Sequence, residues 1–486
     1  MGILTLLLVL PLFGAALIAA LPSDSRQMIR AVALATGLLT LMLAWALLVN
    51  FDTASSAMQF YEMHHWNARM GTSFALGIDG FSLPMVLLAT LLGFVALLAS
   101  GGIRQSVKAY YLLMLVLEAA MLGVFMAQDW ALFYLFWEST LIPLFFLINR
   151  WGGVNRQGAS LNFFLYTMGG SVFMLISLLV LFDTLPGHSF AMVELAGAAV
   201  ELPERTQLLL FLGFLVGFGV KMPIFPMHGW LPLAHVEAPS PVSILLSGIL
   251  LKMGSYGLVR AAAMLPQGVE ALQWILLTLA LVSLIYGGLL AWRQSDLKAM
   301  IAYSSVSHMG VVLVGIAALN TAGLTGAVMQ MVAHGLVAGA LFLLIGLLYE
   351  RTKTRDINDY SSLVRVTPRF AVLTTLAFVA AVGLPGTVGF IAELHAIIGG
   401  FERWGWLVLL LSFGVMISAA YAIRTVGRLF TGPVRPRMRH ITDLQRGEML
   451  AASVLTAAIL LLGFFPAPAL RLVSASVAQL SSVFGA

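Results

Sequence analysis

Long apolar stretches recur along the entire chain and are separated by short polar connections. Each stretch has about 20 residues, the length that an α-helix needs to cross a hydrocarbon core of ~30 Å. The pattern predicts an all-α polytopic membrane protein with about fourteen crossing segments, numbered here in chain order. The predicted segments begin near Gly2, Arg30, Gly80, Ala109, Trp130, Leu161, Gln207, Pro241, Val269, Lys298, Ala322, Arg369, Trp404 and Gly447.

The composition agrees with a bilayer environment. Of the 486 residues, 60% are hydrophobic and 10% are charged, whereas soluble domains carry about 25% charged residues. The chain contains no cysteine, which excludes disulfides, thiolate metal sites and iron–sulfur clusters on it. A P-loop and a dinucleotide fingerprint are also absent from the sequence. We therefore expect no cofactor and no metal on this chain, and an external energy source for any transport.

The basic residues of the connections are distributed unequally. If the N-terminus faces outward, the connections on the cytoplasmic side hold 19 Lys and Arg residues and the opposite connections hold 5. Basic residues accumulate on the cytoplasmic side of membrane proteins. This predicts a multi-pass membrane protein with both termini on the side opposite the cytoplasm. The basic stretch GPVRPRMRH (residues 432–440) is either a topology determinant alone or a binding site for anionic lipid or a partner protein.

Several ionisable residues lie inside the predicted segments. One charge at the bilayer centre costs roughly 2.5–3.5 kcal/mol, so each of these groups has to pair, become hydrated or change its protonation state. They either fix helix packing as ion pairs and hydrogen-bonded linkers, or carry protons. The candidates are Glu118 in segment 4, Glu138 in segment 5, Lys221 in segment 7, Lys252 in segment 8, His308 in segment 10, His334 in segment 11 and Glu393 in segment 12.

Two of these charges adjoin sequence signals for a broken helix. Lys221 is followed by Pro223 and Pro226, and Glu393 follows the sequence GLPG at residues 383–386. Proline removes an amide donor and clashes with the preceding turn. A break at membrane depth frees backbone groups, which are tolerated only where protein or water satisfies them. The sequence therefore predicts hydrated ion sites at breaks in segments 7 and 12, as in transporters.

The two broken segments have related surroundings. Glu138 lies 83 residues before Lys221, and His308 lies 85 residues before Glu393. Segments 4–8 and 9–13 are therefore interpreted as two five-helix repeats, and an odd number of helices makes the copies inverted. We divide the chain into segments 1–3 (residues 1–108), the first repeat (residues 109–265), the second repeat (residues 266–431), and a basic loop with segment 14 (residues 432–486).

The residue types suggest a proton pathway. Contact between Glu138 and Lys221 would stabilise both charges, and its loss would favour neutral lysine and release a proton. Lys252 and the two histidines would be intermediate stations, because imidazole titrates near neutral pH. Glu393 would be the last carboxylate of the pathway.

Two polar stretches outside these positions have alternative interpretations. His64 and His65 in YEMHHWNARMG are either a metal-binding pair or part of a solvated loop, and we expect the loop. His228, His235 and Glu237 resemble a metal cluster by residue type. Their setting in PMHGWLPLAHVEAPSP favours a re-entrant turn that carries a proton entrance.

Three motifs resemble the antiporter-like proton-translocating membrane subunits of complex I, of multi-subunit cation/proton antiporters and of membrane-bound hydrogenases. They are FWESTLIPLFFLI, KMPIFPMHGWLPLAHVEAPSPVSILLSGILLKMGSYGLVR and DLKAMIAYSSVSHMG. In this family the last charged position is usually Lys. Glu393, in GLPGTVGFIAEL, resembles the subunit M (chain 4) branch of bacterial respiratory complex I.

The resemblance implies roles and partners. Glu138 and Lys221 would be the coupled pair of the first half-channel, Lys252 the bridging lysine, and Glu393 the exit-side carboxylate, with the histidines connecting them. The implied function is proton translocation as a subunit of an NADH–quinone oxidoreductase. The implied location is the bacterial inner (plasma) membrane, so the two termini would be on its periplasmic side. The flavin, iron–sulfur clusters and quinone site would lie on partner subunits, among them paralogous antiporter-like subunits. The alternatives are a subunit of a multi-subunit cation/proton antiporter, or of a hydrogenase or ferredoxin-linked complex.

Overall fold

The first part of the chain forms helices around a small hairpin. A computed structural model describes residues 2–184 and 186–485. The elements up to segment 6 are α1 (Ile3–Ala20), α2 (Arg26–Asn50), β1 (Gln59–Asn67), β2 (Thr72–Ile78), α3 (Ser82–Ala99), α4 (Val107–Met126), α5 (Trp130–Ser139), α6 (Leu141–Trp151) and α7 (Arg156–Thr184).

The helices that follow contain the candidate site. They are α8 (Met192–Ala199), α9 (Glu204–Lys221), α10 (Trp230–Glu237), α11 (Ser240–Leu245), α12 (Leu251–Met264), α13 (Pro266–Ala271), α14 (Gln273–Arg293), α15 (Leu297–Ala318), α16 (Thr321–Thr352), α17 (Pro368–Ala381), α18 (Val388–Trp404), α19 (Leu410–Phe430), α20 (Arg446–Phe464) and α21 (Ala467–Ser482). One π-helical turn, Leu246–Leu250, joins α11 to α12.

Twelve stretches of the described chain are long and apolar enough to cross a membrane. One of them, Val388–Phe430, contains two crossings, because the chain turns at Gly405, which has a φ of +60°. The α9–α10 pair corresponds to the predicted segment 7 and is not among these twelve stretches. The predicted polytopic all-α fold is confirmed, and the predicted starts agree with the observed helices to within a few residues.

Local sequence explains where several helices begin. The Asp129 carboxylate accepts hydrogen bonds from the amides of Ala131 and Leu132 at the start of α5. Asp296 accepts from two amides at the start of α15 in the same way. These side chains satisfy amides that have no partner within the helix. The polar residues just before the apolar stretches therefore set the helix starts.

Segments 7 and 12 are broken, as predicted. Segment 7 is interrupted at residues 222–229 between α9 and α10, and segment 12 at residues 382–387 between α17 and α18. Gly383 and Gly386 in the second break have φ values of +73° and +94°, a region that favours glycine. Two further irregularities were not predicted. Segment 5 is interrupted at Thr140 between α5 and α6, and segment 8 contains the π-helical turn.

The expectation of a solvated loop around His64 and His65 is wrong in its secondary structure. These residues lie on β1, which pairs with β2 in an antiparallel hairpin. Both histidines are exposed. The Glu62 carboxylate, also on β1, accepts a hydrogen bond from the amide of Leu4 at 2.7 Å. The hairpin thereby caps the first helix.

The connections separate onto two faces of the molecule. On the arginine-rich face, Arg30 donates to the Ile103 carbonyl and Lys108 to the Leu21 carbonyl, each at 2.7 Å. On the opposite face lie the hairpin, and the hydroxyls of Thr321 and Ser481, which are 2.9 Å apart. Both ends of the described chain therefore lie on the face that is poor in basic residues.

The centre of the molecule is formed by segments 8, 10 and 11. Nearly all residues of Ser240–Met264, α15 and α16 are buried, whereas the apolar stretches of α1, α2 and α20 are only 39%, 33% and 33% buried. An apolar helix that exposes its side chains faces lipid or a partner, and one that buries them faces protein. Lys252, His308 and His334 all lie on the central helices.

Candidate functional site

Lys252 is held by two uncharged acceptors. Its side chain is completely buried. The Nζ atom donates to the Ser247 carbonyl at 2.6 Å and lies 2.6 Å from Nδ1 of His334. Because Ser247 belongs to the π-helical turn, the regular hydrogen-bond ladder is interrupted where the lysine needs an acceptor. The helix irregularity therefore positions the ammonium group against the imidazole.

The contacts continue from His334 to Glu393. The rings of His334 and His308 have centroids 5.6 Å apart, and His308 Nδ1 lies 3.9 Å from Oε1 of Glu393. Gln330 is 3.5 Å from the same nitrogen of His308. These side chains line a cavity of about 10 Å³, roughly the space of one water molecule. Lys252, His334, His308 and Glu393 therefore form one chain of contacts, called here the central chain.

The second break positions the carboxylate of the central chain. Glu393 lies in the second turn of α18, just after the break. A Cβ atom at Gly383 would lie 2.3 Å from Oε2 of Glu393. The glycine therefore provides both the left-handed backbone conformation and the space that the carboxylate occupies. A charge and a broken helix share this location, as the sequence predicted.

Lys221 lies at the first break, as the last residue of α9. Its Nζ atom donates to the Thr140 hydroxyl at 3.2 Å and lies 4.8 Å from the ring centre of Trp137. In the described part of the chain, no carboxylate lies within 4.0 Å of this ammonium group. Neutral partners thus surround Lys221 in this structure.

Glu138 adjoins Trp137 on α5 but forms no ion pair with Lys221. Its Oε1 atom is buried and has no hydrogen-bond partner among the described residues. A buried carboxylate oxygen without a partner is energetically costly. The predicted coupling of Glu138 to Lys221 stays a prediction, and the arrangement around it is that of a separated pair.

Two side chains form hydrogen bonds with the backbone at the first break. The indole of Trp230 donates to the Val220 carbonyl at 2.8 Å, and the Ser283 hydroxyl accepts from the Phe225 amide at 2.8 Å. Gly254, two residues after Lys252, packs so closely that a Cβ atom there would lie 2.7 Å from the Phe218 carbonyl. This close contact places the helix of Lys252 against the helix that ends at Lys221.

Glu118 is outside the central chain. It is buried in α4, and its Oε1 atom has no partner among the described residues. A Cβ atom at Gly93 would lie 2.8 Å from this oxygen. The carboxyl group thus packs on the adjacent helix α3, and none of the described contacts joins it to Lys221 or Lys252.

Lys298 is an additional buried lysine, which the sequence marked only as the approximate start of segment 10. It is 3% exposed, and its Nζ atom donates to the Ala238 carbonyl at 2.7 Å. That carbonyl follows α10, whose Glu237 lies at the arginine-rich face and accepts from the Asn155 amide. The sequence feature that could have identified this lysine is Asp296, a helix-capping residue that places Lys298 in the first turn of α15.

His235 lies on α10, on the side of the molecule where Lys298 and Glu237 lie. It is completely buried and stacks on Phe342 with 4.5 Å between ring centroids. Neither ring nitrogen has a hydrogen-bond partner among the described residues. Buried polar nitrogens are almost always bonded to protein or water. The proton entrance expected around His235 and Glu237 stays a prediction, and Lys298 adds a third ionisable group to it.

The central chain can exchange protons. Lys252 can pass a proton to His334 over a 2.6 Å contact, because an imidazole nitrogen both accepts and donates. The spaces between His334 and His308, and between His308 and Glu393, are each small enough for one water molecule to bridge the two side chains. Across the described residues, no group of three or more His, Cys, Asp or Glu side chains could hold a metal ion. The short contacts among these titratable side chains are suited to proton transfer.

Known proteins are similar to this chain in sequence. The profile of the family described as NADH:quinone oxidoreductase/Mrp antiporter, TM matches residues 127–418. NADH-quinone oxidoreductase subunit M of Rhodobacter capsulatus is 40% identical over 495 residues, covering 99% of this chain and 96% of that protein. NADH-ubiquinone oxidoreductase chain 4 of Arabidopsis thaliana is 37% identical over 479 residues, covering 98% and 96%.

A solved structure agrees with these relatives. A chain of respiratory complex I from Thermus thermophilus with bound NADH has a TM-score of 0.89 and 32% sequence identity, covering 98% of this chain and 99% of that chain. The profile includes both α5 and α18, and therefore all of the central chain. The chain belongs to the NADH:quinone oxidoreductase/Mrp antiporter family, in its subunit M (chain 4) group.

Proposed function

We propose that this chain is a proton-translocating subunit of the membrane arm of an NADH–quinone oxidoreductase, complex I. The observation that carries the proposal is the central chain, Lys252–His334–His308–Glu393, buried in the middle of the molecule and ending at a broken helix. A scaffold would not require a row of ionisable groups whose burial is costly. The subunit itself performs translocation and contributes no redox chemistry.

The pathway begins at the arginine-rich face, which we assign to the cytoplasm. There Glu237, His235 and Lys298 lead inward from α10 toward the central helices. Both termini then face the periplasmic side of a bacterial inner membrane. Glu393 is the last carboxylate before release on that side.

The two breaks act as equivalent sites in two inverted repeats, residues 109–265 and 266–431. In the first repeat Glu138 and Lys221 are separated, and in the second His308 and Glu393 are 3.9 Å apart. We propose that Glu138 approaches Lys221 in another state and stabilises its charge. Separation, as in this structure, then favours transfer of the lysine proton toward Lys252.

The driving force comes from partner subunits. Moving one charge against ~150 mV requires roughly 3.5 kcal/mol, and the chain has no cysteine with which to hold an iron–sulfur cluster. Flavin, iron–sulfur clusters and quinone would be bound by the redox subunits of the complex. Quinone reduction there would change the position or charge of groups that contact this subunit.

The test uses the assembled complex in sealed membrane vesicles, with NADH as donor and proton uptake and NADH oxidation measured together. Lys221→Ala should lower the number of protons taken up per NADH, because the carrier in segment 7 is removed. The matched control is Lys353→Ala, since Lys353 is exposed at the arginine-rich face. Equal proton-to-NADH ratios in Lys221→Ala, Lys353→Ala and the parent protein would refute the proposal.

The family also includes subunits of cation/proton antiporters. The isolated chain in liposomes separates the two functions. An antiporter dissipates a pH gradient on addition of Na⁺ or K⁺, whereas a subunit driven by quinone reduction does not.

A further inference from the structure

A basic pocket lies at the end of α19 on the arginine-rich face. It has a volume of about 430 Å³ and is lined by Arg424, Arg428 and Arg435, together with the hydroxyl-bearing residues Tyr360, Ser361 and Thr431. The pocket sits where the connection between α16 and α17 meets the connection between α19 and α20. None of these residues belongs to the central chain or to the proposed proton entrance.

Among residues 2–184 and 186–485, the arginines of this pocket have no acidic partner. In the described part of the chain, no carboxylate is within 4.0 Å of Arg424, Arg428 or Arg435. Arg424 donates to the Trp292 carbonyl. Arg428 and Arg435 are exposed, and their guanidinium groups make no hydrogen bond to a described residue. Guanidinium groups bind phosphate in a bidentate manner, so the pocket presents unused donors for a phosphate.

The hydrogen bonds around the pocket give it a defined shape. The Ser361 hydroxyl and the Ser362 amide both donate to the Thr431 carbonyl, at 3.0 and 3.1 Å. The Tyr360 hydroxyl donates to the Thr354 carbonyl at 2.6 Å. The bonds to Thr431 thereby join the two connections where they line the pocket.

An apolar stripe on α19 leads into the pocket. Phe413, Met416 and Ile423 are 56%, 65% and 72% exposed, and their spacing places them on one face of the helix. Ile423 and Gly427, one turn further along, line the pocket itself. Positive charge therefore adjoins an exposed apolar surface at the end of a helix long and apolar enough to cross a membrane.

We propose that this pocket, called here the α19 pocket, binds the phosphate of an anionic phospholipid whose acyl chain lies along the exposed stripe of α19. Basic pockets between helices on the cytoplasmic side are suited to anionic head groups. The apolar stripe favours a lipid over free phosphate, because Phe413, Met416 and Ile423 can contact an acyl chain but contribute nothing to the binding of a free anion. The bound lipid would fix the two connections against the membrane surface.

The experiment measures lipid retention by the intact complex. The complex is placed in nanodiscs of phosphatidylethanolamine with a minor fraction of phosphatidylglycerol, and retained lipids are counted by native mass spectrometry. In Arg428→Gln/Arg435→Gln, retention of phosphatidylglycerol should fall by at least about tenfold for this site, because charge-assisted hydrogen bonds to phosphate are lost. The control Arg437→Gln/Arg439→Gln removes the same charge from exposed residues outside the pocket and should retain the lipid.

A second variant keeps every arginine and blocks the space instead. A Cβ atom at Gly427 has no heavy atom within 4 Å, so Gly427→Leu fits the fold and fills the pocket. It should lose the lipid as the double variant does. Equal retention in both pocket variants and the control overturns the proposal. Displacement of the lipid by millimolar inorganic phosphate would show a free-anion site instead, and a neighbouring subunit cross-linked at Ile423 with no lipid retained would show a protein interface.

Discussion

At the residue scale, neutral partners hold the buried lysines of this protein. Lys252 contacts a carbonyl and an imidazole, and Lys221 contacts a hydroxyl and an indole ring. Such partners contact an ammonium group without strongly stabilising its charged form. A carboxylate at the same distance would stabilise that form. We therefore predict that both lysines lose and regain a proton as nearby charges move.

The sequence identified the charged members of the site but not their neutral partners. Lys252, His308, His334 and Glu393 were identifiable because an ionisable residue in an apolar segment needs a reason. Thr140 and Trp137 carried no such signal, since hydroxyl and aromatic side chains are common in membrane helices. Their roles depend on the position of segment 5 relative to the break in segment 7, which only the packed structure gives.

Gly383 provides a residue-scale prediction. Gly383→Ala should destabilise the protein by about 1–2 kcal/mol through backbone strain and should also lower proton uptake per NADH, because the new methyl group displaces the Glu393 carboxylate. Gly386→Ala is the control. It imposes comparable strain at a φ of +94°, but its Cβ meets the ring of Phe464 at 3.1 Å and not Glu393. Equal proton uptake per NADH in the two variants, with a difference in stability alone, would contradict the claim that Gly383 provides space for the Glu393 carboxylate.

At the scale of elements, the breaks follow from local sequence and the other irregularities do not. Proline and glycine predicted the interruptions of segments 7 and 12, because these residues remove a donor or allow positive φ. The π-helical turn Leu246–Leu250 has no comparable signature. The hairpin β1–β2 was missed because its outward strand is polar and exposed, and its pattern is that of a loop.

A buried ion pair joins α3 and α12 near the face that lies opposite the arginine-rich face. Asp79, just before α3, accepts from Arg260 of α12 at 2.8 Å. Burial alone would raise the pKa of Asp79, but the charge and hydrogen bond of Arg260 outweigh it, and the pKa is lowered. The carboxylate therefore stays ionised at neutral pH and fixes α3 against the central helix of Lys252.

Asp79→Asn should weaken this junction by ~3–5 kcal/mol, because the buried guanidinium loses its counter-charge. The thermal midpoint of the purified complex measures the loss. Because the folded pKa lies below the usual ~3.9, the stabilisation is complete above that value and disappears as the pH falls through the lowered pKa. The difference between variant and parent should thus be constant from pH 5 to 8. Asp24→Asn, at an exposed position, is the control, and an equal midpoint for both variants would contradict this role.

At the scale of the whole molecule, the charge distribution predicted the arrangement of the connections. The expected family is confirmed, and the structure places both described ends on the face poor in basic residues. The short helix α8 and the terminal helix α21 were not predicted. Their sequences are too short or too polar to resemble a crossing segment.

The orientation in the membrane has a direct test, since the chain contains no cysteine. Single cysteines at the exposed positions Thr53 and Ser474 should react with a membrane-impermeant maleimide applied to the periplasmic side of spheroplasts. Arg437→Cys, exposed on the arginine-rich face, should react only after the membrane is permeabilised. Labelling of residue 437 in intact spheroplasts, with residues 53 and 474 protected, would reverse the assigned orientation.

The most direct test of the central chain is the proton-to-NADH ratio of the complex with Glu393→Gln. Glutamine keeps the size and hydrogen bonding of the side chain but cannot carry a proton, and removing a positioned acid–base group slows proton transfer by on the order of 10²-fold. Glu402→Gln, at an exposed position on the same helix, is the matched control. The account predicts fewer protons per NADH in Glu393→Gln and an unchanged ratio in Glu402→Gln. A parental ratio in Glu393→Gln, with normal assembly and NADH oxidation, would contradict the claim that protons pass through this chain.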